Sequence, residues 1–334
     1  LKPRPASRSR CSGAELAVEA DPRVTTPEHL DRLAGLGFNR ISLGVQDFSP
    51  RVQEAIERHQ SAEQTAAVIE RARARGFRGV NLDLIYGLPF QTPESFEASV
   101  RTALSLRPDR AAVYSYAYVP WKGPHMKDID PATLPPPELK LELGAIAREL
   151  FLDAGYEPIG MDHYAAPHDE LAVARREGRL RRNFQGYTVL PASDVIGLGI
   201  SAIGDVAGAY LQNTKKLSEY ESLVPQGRLP VERGLLRSAE DELRRDVIHG
   251  LMCNFAVDVR AIEERHAIAF AAHFAPELAR LAEEERQGLV SIGAERITVE
   301  PVGQLFVRNL ALCFDAHVRG LPAESDTPRF SRTV

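Results

Sequence analysis

Four polar side chains lie toward the carboxyl ends of four predicted strands, and their types and positions suit them to chemistry. They are Glu19, Gln46, Asp83 and Tyr116. In α/β barrels and open parallel sheets, ligands bind at the carboxyl ends of the strands. Carboxylate and amide oxygens placed there accept hydrogen bonds from ligand hydroxyl groups. The repeated position favours a ligand site over the alternative in which each side chain caps a local turn.

These side chains are positioned by short apolar strands that alternate with amphipathic helices. The strands are predicted at 14–20, 40–46, 79–87 and 110–119, with a further strand-like segment at 156–164. N-cap, first-turn proline and capping-box patterns mark the helix starts at Thr26-Pro27, Ser49-Pro50, Ser61 with Gln64, and Thr92-Pro93. Such alternation predicts an α/β fold with a parallel sheet.

The last hundred residues have a different pattern. From about residue 236, helical periods lead to a predicted hairpin and a final helix, an order that resembles a winged helix. No basic recognition helix is visible, so a packing role is favoured over DNA binding. Before this region, the glycines of GLGISAIGD (197–205) predict a tight turn or a backbone that lies close to a ligand.

Composition narrows the class of protein. The 334 residues carry a net charge of −5, and 44% of them are hydrophobic, which predicts a packed core and argues against nucleic-acid binding. No apolar run is long enough to span a membrane. The three cysteines, Cys11, Cys253 and Cys313, are far apart and odd in number, which favours a cytoplasmic protein without disulfides. His163 and His168 alone make a weak metal site, so no metal ligand is assigned.

Six segments, in this order and spacing, resemble the oxygen-independent coproporphyrinogen III dehydrogenases. They are VEADPR (18–23), GFNRISLGVQDF (37–48), NLDLIYGLPFQTPESF (81–96), GMDHYAAPHDELAVARREG (160–178), RRNFQGYT (181–188) and RNLALCFDAHVR (308–319). The resemblance covers residues 15–334. It implies a partial (β/α)6 radical S-adenosylmethionine (SAM) barrel over 15–235, a mostly helical winged-helix-like domain over 236–334, and an unmatched tail over 1–14.

The resemblance also implies a reaction and its cofactors. The family converts two propionates of coproporphyrinogen III to vinyl groups without oxygen, giving protoporphyrinogen IX in haem synthesis, and uses a 4Fe–4S cluster and two SAM molecules per chain. By match to the family's motifs, Glu19 and Ile203 would contact the first SAM, and the second would be held by Gln46, Arg58, Asp83 and Ala117. The carboxylates of the substrate would be bound by basic residues, for which the candidates are Arg175, Arg176, Arg181 and Arg182. No catalytic residue is assigned.

The sequence departs from the family at the cluster. The family's CxxxCxxC loop and its GGGTP-like segment are both absent, and Cys253 and Cys313 fall at positions typical of structural thiols. We therefore expect a barrel without its first two βα units, encoded upstream, and a chain that is inactive without that segment. The alternative is a non-catalytic porphyrin- or haem-binding relative, haem chaperone-like or a degenerate remnant. The expected partner of the enzyme is a flavodoxin-type electron donor, and the full-length form is expected to be a cytoplasmic monomer.

Overall fold

The computed structural model describes residues 14–121, 123–190 and 194–319, and its internal contacts divide them into two units. Unit 1 contains residues 14–158 and 162–169, and unit 2 contains residues 159–161 and 170–319. The predicted tail, apart from Ala14, lies outside the described residues, as does Cys11. The predicted domain boundary after residue 235 stays a prediction.

Unit 1 consists of strands and helices in near-regular alternation. In chain order the elements are β1 (Ala17–Ala20), α1 (Pro27–Leu36), β2 (Arg40–Gln46), α2 (Pro50–Ala55), α3 (Ala62–Ala74), β3 (Gly79–Tyr86), α4 (Pro93–Ser105), β4 (Arg110–Ser115), α5 (Pro137–Asp153), β5 (Glu157–Gly160, which runs into unit 2) and β6 (His163–Ala165). Two 3-10 turns, Pro124–Asp128 and Pro131–Thr133, precede α5.

The main sheet of unit 1 has the strand order β1-β2-β3-β4-β6. The first four strands are parallel, which confirms the sheet predicted from the alternation. β6 instead runs antiparallel to β4. The strand-like segment predicted at 156–164 is thus two strands, because Met161 has a left-handed φ of 46° and breaks the extended run. This α/β architecture agrees with the predicted fold class at the coarse level.

Most helix starts in unit 1 follow the predicted signals. Thr26, Ser61 and Thr92 each accept a hydrogen bond from the backbone N–H three residues later, and each belongs to a capping box. Ser49 precedes α2 but makes no side-chain cap, and its backbone N–H donates to Asp47. Each such cap contributes about 1 kcal/mol to helix stability.

The main sheet has one apolar face and one polar face. The buried side chains of β2 and β3 form a core with those of α3, α4 and α5: Ile41, Leu43, Val45, Val80, Leu82, Leu84, Val68, Phe96, Val100 and Leu143. The alternate residues of the same strands are only half-buried, and Ser42, Asn81 and Asp83 are among them. Because side chains alternate across a strand, the helices cover one face and leave the polar residues on the other.

Unit 2 has smaller antiparallel sheets and a helical core. Its elements are α6 (Glu170–Arg176), β7 (Arg181–Asn183), β8 (Gly186–Thr188), β9 (Ile203–Val206), β10 (Ala209–Asn213), α7 (Leu217–Leu223), β11 (Val231–Leu236), α8 (Ala239–Asn254), β12 (Ala256–Asp258), α9 (Val259–His266), α10 (Phe270–His273), α11 (Ala275–Arg286), β13 (Val290–Ile292), β14 (Arg296–Val299), α12 (Val307–Leu312) and α13 (Ala316–Arg319). The sheets are β7-β8, β11-β10-β9 and β12-β14-β13. The predicted hairpin is β13-β14, and β12 adds a third strand to it.

Candidate functional site

The polar face of the main sheet brings together residues from three neighbouring strands. Glu19 of β1 pairs in register with Ser42 of β2, and Ser42 with Asn81 of β3. Asp83 accepts hydrogen bonds at Oδ2 from Ser42 Oγ, at 3.1 Å, and at Oδ1 from Asn81 Nδ2, at 2.7 Å. The predicted site residues Glu19 and Asp83 therefore lie on one face, with Ser42 and Asn81, which the sequence analysis missed.

Asp83 is poised between two protonation states near neutral pH. Burial, and after it the negative charge of Glu19, raise the pKa of its carboxyl to about 6. The hydrogen bonds from Asn81 and Ser42 act in the opposite direction because they stabilise the carboxylate. Such a group accepts hydrogen bonds when ionised and can donate one when protonated.

Arg58 lies beside this row of residues, near the carboxyl end of β2. Its Nη2 donates to the carbonyl oxygen of Gly44, and its Nη1 lies 3.3 Å from Asp21 Oδ2. Its Nε is buried and has no hydrogen-bond partner among the described residues. Burial lowers the pKa of the Arg58 guanidinium, while the charge of Asp21 opposes that shift. Arg58 is thus no ordinary surface helix residue: it presents a buried donor that a ligand carboxylate could satisfy.

Gly44 makes room for the two other predicted groups. A Cβ at this position would lie 2.8 Å from Gln46 Nε2 and 3.2 Å from Arg58 Nη2. A glycine is therefore required for Gln46 and Arg58 to approach the strand as they do. Gln46, Arg58, Asp83 and Glu19 form one polar cluster, which we name the sheet-face cluster.

β2 ends in a γ-turn that orients Gln46. Gln46 has a left-handed φ of 69°, and the Asp47 N–H donates to the Val45 carbonyl oxygen at 2.9 Å, across a single residue. The pairing register with β3 shifts at the same point. As a result, Gln46 leaves the regular pleat and lies at the end of the strand beside Gly44.

Asp47 anchors this turn from the buried side. It is fully buried, and its carboxylate accepts hydrogen bonds from Ser49 N–H at 2.6 Å, Gln91 Nε2 at 2.7 Å and Ser99 Oγ at 2.7 Å. Burial raises the pKa of Asp47, and these hydrogen bonds oppose the rise. The sequence analysis missed this network, although an acid directly after an apolar strand was an available signal.

Ala117 lies just beyond β4, in a segment held by its backbone. The neighbouring Tyr116 donates its N–H to the Tyr86 carbonyl oxygen at 2.8 Å and accepts from Lys140 Nζ at 2.9 Å. The stem of Lys140 packs on Gly87, which has a φ of 87°. The predicted backbone role of Ala117 stays a prediction, but the segment that carries it is held by two hydrogen bonds at Tyr116.

The remaining predicted residues lie in unit 2. Ile203 begins β9, and a Cβ at Gly197 would lie 2.9 Å from the Ile203 carbonyl carbon. The glycines at 197 and 204 therefore allow the chain around Val195 to pair with β9 at Asp205. Arg181 and Arg182 line a cavity of unit 2, whereas Arg175 and Arg176 do not.

The described thiols are not arranged as metal ligands. Cys253 is buried in α8, and burial raises the pKa of its thiol to about 12. Cys313 directly follows α12 and is half-buried. Within residues 14–121, 123–190 and 194–319, no group of three His, Cys, Asp or Glu side chains could hold a metal ion. These residues therefore do not fit a 4Fe–4S cluster, whereas the sheet-face cluster fits SAM, with carboxylates for its hydroxyls and a buried guanidinium donor for its carboxylate.

The length and polarity of each helix determine whether it could span a membrane. Among the described residues, no helix combines the length and apolar character needed to cross a bilayer.

Comparisons with known proteins agree with the resemblance seen in the sequence. A family model of the Radical SAM superfamily matches residues 4–103, and the HemN C-terminal domain matches residues 238–306. The oxygen-independent coproporphyrinogen III oxidase of Thermostichus vulcanus is 47% identical over 307 residues, which are 92% of this chain and 94% of that protein. Its counterpart in Escherichia coli K12 is 42% identical over 321 residues, or 96% of this chain and 70% of that protein.

A solved structure gives the same result. Coproporphyrinogen III oxidase (HemN) from Escherichia coli, described as a radical SAM enzyme, superposes with a TM-score of 0.86 at 43% identity, covering 91% of this chain and 70% of that one. The chain belongs to the radical SAM superfamily and, within it, to the family of the oxygen-independent coproporphyrinogen III oxidases. The matched superfamily and the solved structure are both described as radical SAM, which confirms SAM as an expected cofactor of the family.

Proposed function

We propose that this chain acts in the oxygen-independent conversion of coproporphyrinogen III to protoporphyrinogen IX, in which two propionates become vinyl groups during porphyrin and haem synthesis. The observation that carries the proposal is the sheet-face cluster, in a chain of the coproporphyrinogen III oxidase family. The setting that we propose for the full-length form is a cytoplasmic monomer that receives electrons from a flavodoxin-type donor.

We assign the binding of SAM to the sheet-face cluster. Glu19, with Ile203 of unit 2, is proposed to contact one SAM, and Gln46, Arg58, Asp83 and Ala117 are proposed to hold the second. Carboxylates accept hydrogen bonds from ribose hydroxyls, and the buried Nε of Arg58 suits a carboxylate. SAM, when bound, supplies the radical chemistry of the family. The residues of this chain bind and orient it, and Asp83, with its pKa near 6, can hold a proton at the ribose.

Binding of SAM in solution tests this assignment. Isothermal titration should show SAM binding to the full chain, and Asp83→Ala should weaken it by about 5- to 100-fold, or about 1–3 kcal/mol for lost hydrogen bonds. Asp153→Ala, at the exposed end of α5, is the matched control and should bind as wild type does. Absence of SAM binding by the wild-type chain would overturn the proposed function.

A non-catalytic porphyrin- or haem-binding role is the second candidate. The sequence contains three separated cysteines and no CxxxCxxC run. We therefore expect these 334 residues on their own to bind SAM without assembling a cluster. Anaerobic reconstitution with iron and sulfide, followed by iron counting and assay of 5′-deoxyadenosine, separates the two roles. Near-stoichiometric cluster with 5′-deoxyadenosine release would exclude the non-catalytic one.

A further inference from the structure

None of the six residues assigned to SAM lines a cavity of about 340 Å³ that lies within unit 2. The walls of this cavity come from β7, β8, α8, the end of α9 and the chain around Asp205. Six basic side chains contribute to them: Arg181, Arg182, Arg245, His249, Arg265 and His266. We refer to it as the basic cavity. The pairing of the charged side chains in the basic cavity indicates which class of ligand it could bind.

Two of the three acids in the basic cavity are held by a pair of arginines. Arg237 Nη1 lies 2.5 Å from Asp205 Oδ1, and Arg245 Nη2 lies 2.9 Å from Asp205 Oδ2. The same two arginines contact Glu242, with Arg237 Nε 2.5 Å and Arg245 Nη1 3.4 Å from its carboxylate oxygens. Two positive charges therefore match these two negative ones.

The third acid also has its own partners. Asp246 Oδ2 lies 2.9 Å from Arg265 Nη1 and 2.9 Å from His266 Nε2. The acids of the basic cavity are thus all engaged. Within the described parts of the chain, no carboxylate lies within ion-pair distance of Arg181 or Arg182. These two guanidinium groups are the excess positive charge of the basic cavity.

Arg182 is held in place although it has no carboxylate partner. It lies opposite Tyr187 in the β7-β8 hairpin, and its guanidinium carbon is 5.1 Å from the centre of the Tyr187 ring. Tyr187 is itself buried, and its hydroxyl donates to the Met252 carbonyl oxygen at 3.1 Å. A cation over an aromatic face loses little freedom when it binds a further group.

An unused donor belongs to this fixed side chain. The Nη1 of Arg182 is buried and has no hydrogen-bond partner among the described residues, and the same holds for Nε of Arg245. Leaving a buried charged donor unpaired is costly, so these atoms suit an anionic ligand that enters the basic cavity. The basic cavity therefore combines excess positive charge, a fixed guanidinium and unsatisfied donors.

The surroundings of His249 fit the same picture. Burial, together with the nearby charges of Arg245, Arg181 and Arg182, lowers the pKa of its imidazole to about 4, although the charge of Asp246 opposes the shift. His249 is therefore neutral at pH 7 and can offer one donor and one acceptor without adding charge. Leu190 and Val195 supply an apolar wall, against which methylene groups can pack.

We propose that the basic cavity binds the carboxylates of propionate side chains of the tetrapyrrole substrate, with Arg182 as the anchor; this inference rests on the proposed function. The planar fork of a guanidinium matches a carboxylate, and an apolar wall suits the two methylenes of a propionate. A volume of about 340 Å³ accommodates propionate arms more readily than the whole ring of four pyrroles. Free carboxylates such as citrate share this chemistry, so the test must separate the two sources.

The test is a fluorescence titration of the full chain with coproporphyrin III, the stable oxidised form of the substrate, in one detergent-containing buffer. Arg182→Gln should weaken binding at least tenfold. Arg260→Gln is the matched control, because Arg260 is 73% exposed and paired with Glu295 on the surface of the same unit, and it should bind within twofold of wild type. Coproporphyrin III tetramethyl ester, which lacks carboxylates, should bind wild type and Arg182→Gln equally.

Two further measurements keep the result decisive. Arg181→Gln, an exposed position on β7, should weaken coproporphyrin III binding as well and serves if Arg182→Gln does not fold, which a thermal melt reveals. If the Arg182→Gln variant binds coproporphyrin III with an affinity within twofold of wild type, the proposal is overturned. Arg182-dependent binding of citrate without binding of coproporphyrin III also overturns it. If the wild-type chain does not bind SAM but still binds coproporphyrin III in a way that depends on Arg182, the proposed function is overturned and the proposal for the basic cavity is not.

Discussion

The sheet-face cluster of unit 1 and the basic cavity of unit 2 have opposite charge balances. Beside the sheet-face cluster, Asp21 pairs with both Arg23 and Arg58. With Glu19 and Asp83 included, the carboxylates outnumber the guanidinium groups, which leaves an excess of negative charge. In the basic cavity, Arg181 and Arg182 leave an excess of positive charge. SAM carries a positive sulfonium and hydroxyl groups, whereas the substrate carries carboxylates. The charge balance of each site therefore complements the ligand that we propose for it.

The two regions also anchor a buried acid in different ways. Asp47, behind the sheet-face cluster, is held by uncharged donors, whereas Asp205, in the basic cavity, is held by two arginines. Replacing an acid that is paired with charged groups should lower the free energy of unfolding more than replacing one that is held by neutral groups, because the charged partners are left unpaired. The following predictions test these contrasts.

The largest expected effect is that of Asp205→Ala. The side chain of Arg237 is only 7% exposed and would lose one of its two carboxylates, so we expect the free energy of unfolding to fall by about 3–5 kcal/mol. Urea denaturation measures this loss. Glu232→Ala, which removes an exposed acid 3.7 Å from Arg233, is the control and should cost less than about 0.5 kcal/mol. A loss for Asp205→Ala no larger than that of the control would contradict the contrast.

Asp47→Ala should have the next largest effect. It would leave three donors without an acceptor in a buried place, at a cost of about 2–3 kcal/mol in the free energy of unfolding. Asp47→Asn keeps one carbonyl oxygen and should cost less. SAM affinity should fall in Asp47→Ala as well, since the γ-turn at Gln46 loses its anchor. A loss of less than about 0.5 kcal/mol in Asp47→Ala would argue that the hydrogen bonds to the carboxylate are unimportant.

Asp83 should make both stability and binding depend on pH. Its pKa is raised in the folded state to about 6 from 3.8, so the folded chain binds the extra proton between these values. The favourable contribution is present below about pH 4 and is lost as pH rises through 6, so the wild type should be about 2 kcal/mol less stable at pH 7.5 than at pH 4.5. Chemical denaturation at pH 4.5 and 7.5 measures the difference, which should be absent in Asp83→Asn.

Binding of SAM should respond to pH in the opposite direction. The ionised carboxylate favours a positively charged ligand, so affinity for SAM should rise as pH increases through about 6 in the wild-type chain. The affinity of the basic cavity for coproporphyrin III should not depend on the ionisation of Asp83. A pH profile for SAM that is the same in wild type and Asp83→Asn would show that another group titrates.

Gly44→Ala should have the smallest effect on folding. The new Cβ would meet the movable ends of Gln46 and Arg58, so the free energy of unfolding should change by less than about 1 kcal/mol. Displacing both groups should nevertheless weaken SAM binding about three- to tenfold. Titration calorimetry checks this, with coproporphyrin III binding as the internal control. Unchanged SAM affinity would remove Gln46 and Arg58 from the assigned site.

Local signals in the sequence explain which parts of the fold could be predicted. The capping boxes at Ser61 and Thr92 depend on residues three apart, and the strands at Arg40–Gln46 and Gly79–Tyr86 depend on apolar residues at alternate positions. Parallel pairing then brings Glu19 and Asp83 to one face without further information. These elements were predictable because each one is specified within a short window of sequence.

The missed features depend on contacts between distant residues or on unusual backbone. Asp47 reaches Gln91 and Ser99 across 44 and 52 positions, which no periodic pattern indicates. Arg58 by itself suggested a surface position, but Glu57 before it has a left-handed φ of 52°, and the Arg58 side chain reaches Gly44. The excess charge of the basic cavity likewise emerges only after every ion pair in the folded unit is known.

The γ-turn at Gln46 carries a consequence for the design of more stable variants. A non-glycine residue at a φ of 69° costs about 1–3 kcal/mol, and glycine adopts that conformation freely. Gln46→Gly should therefore relax the backbone while deleting the amide that the proposed SAM site uses. At this position the chain trades ease of folding for function, and a search for thermostable variants that ignored ligand binding would select against the glutamine.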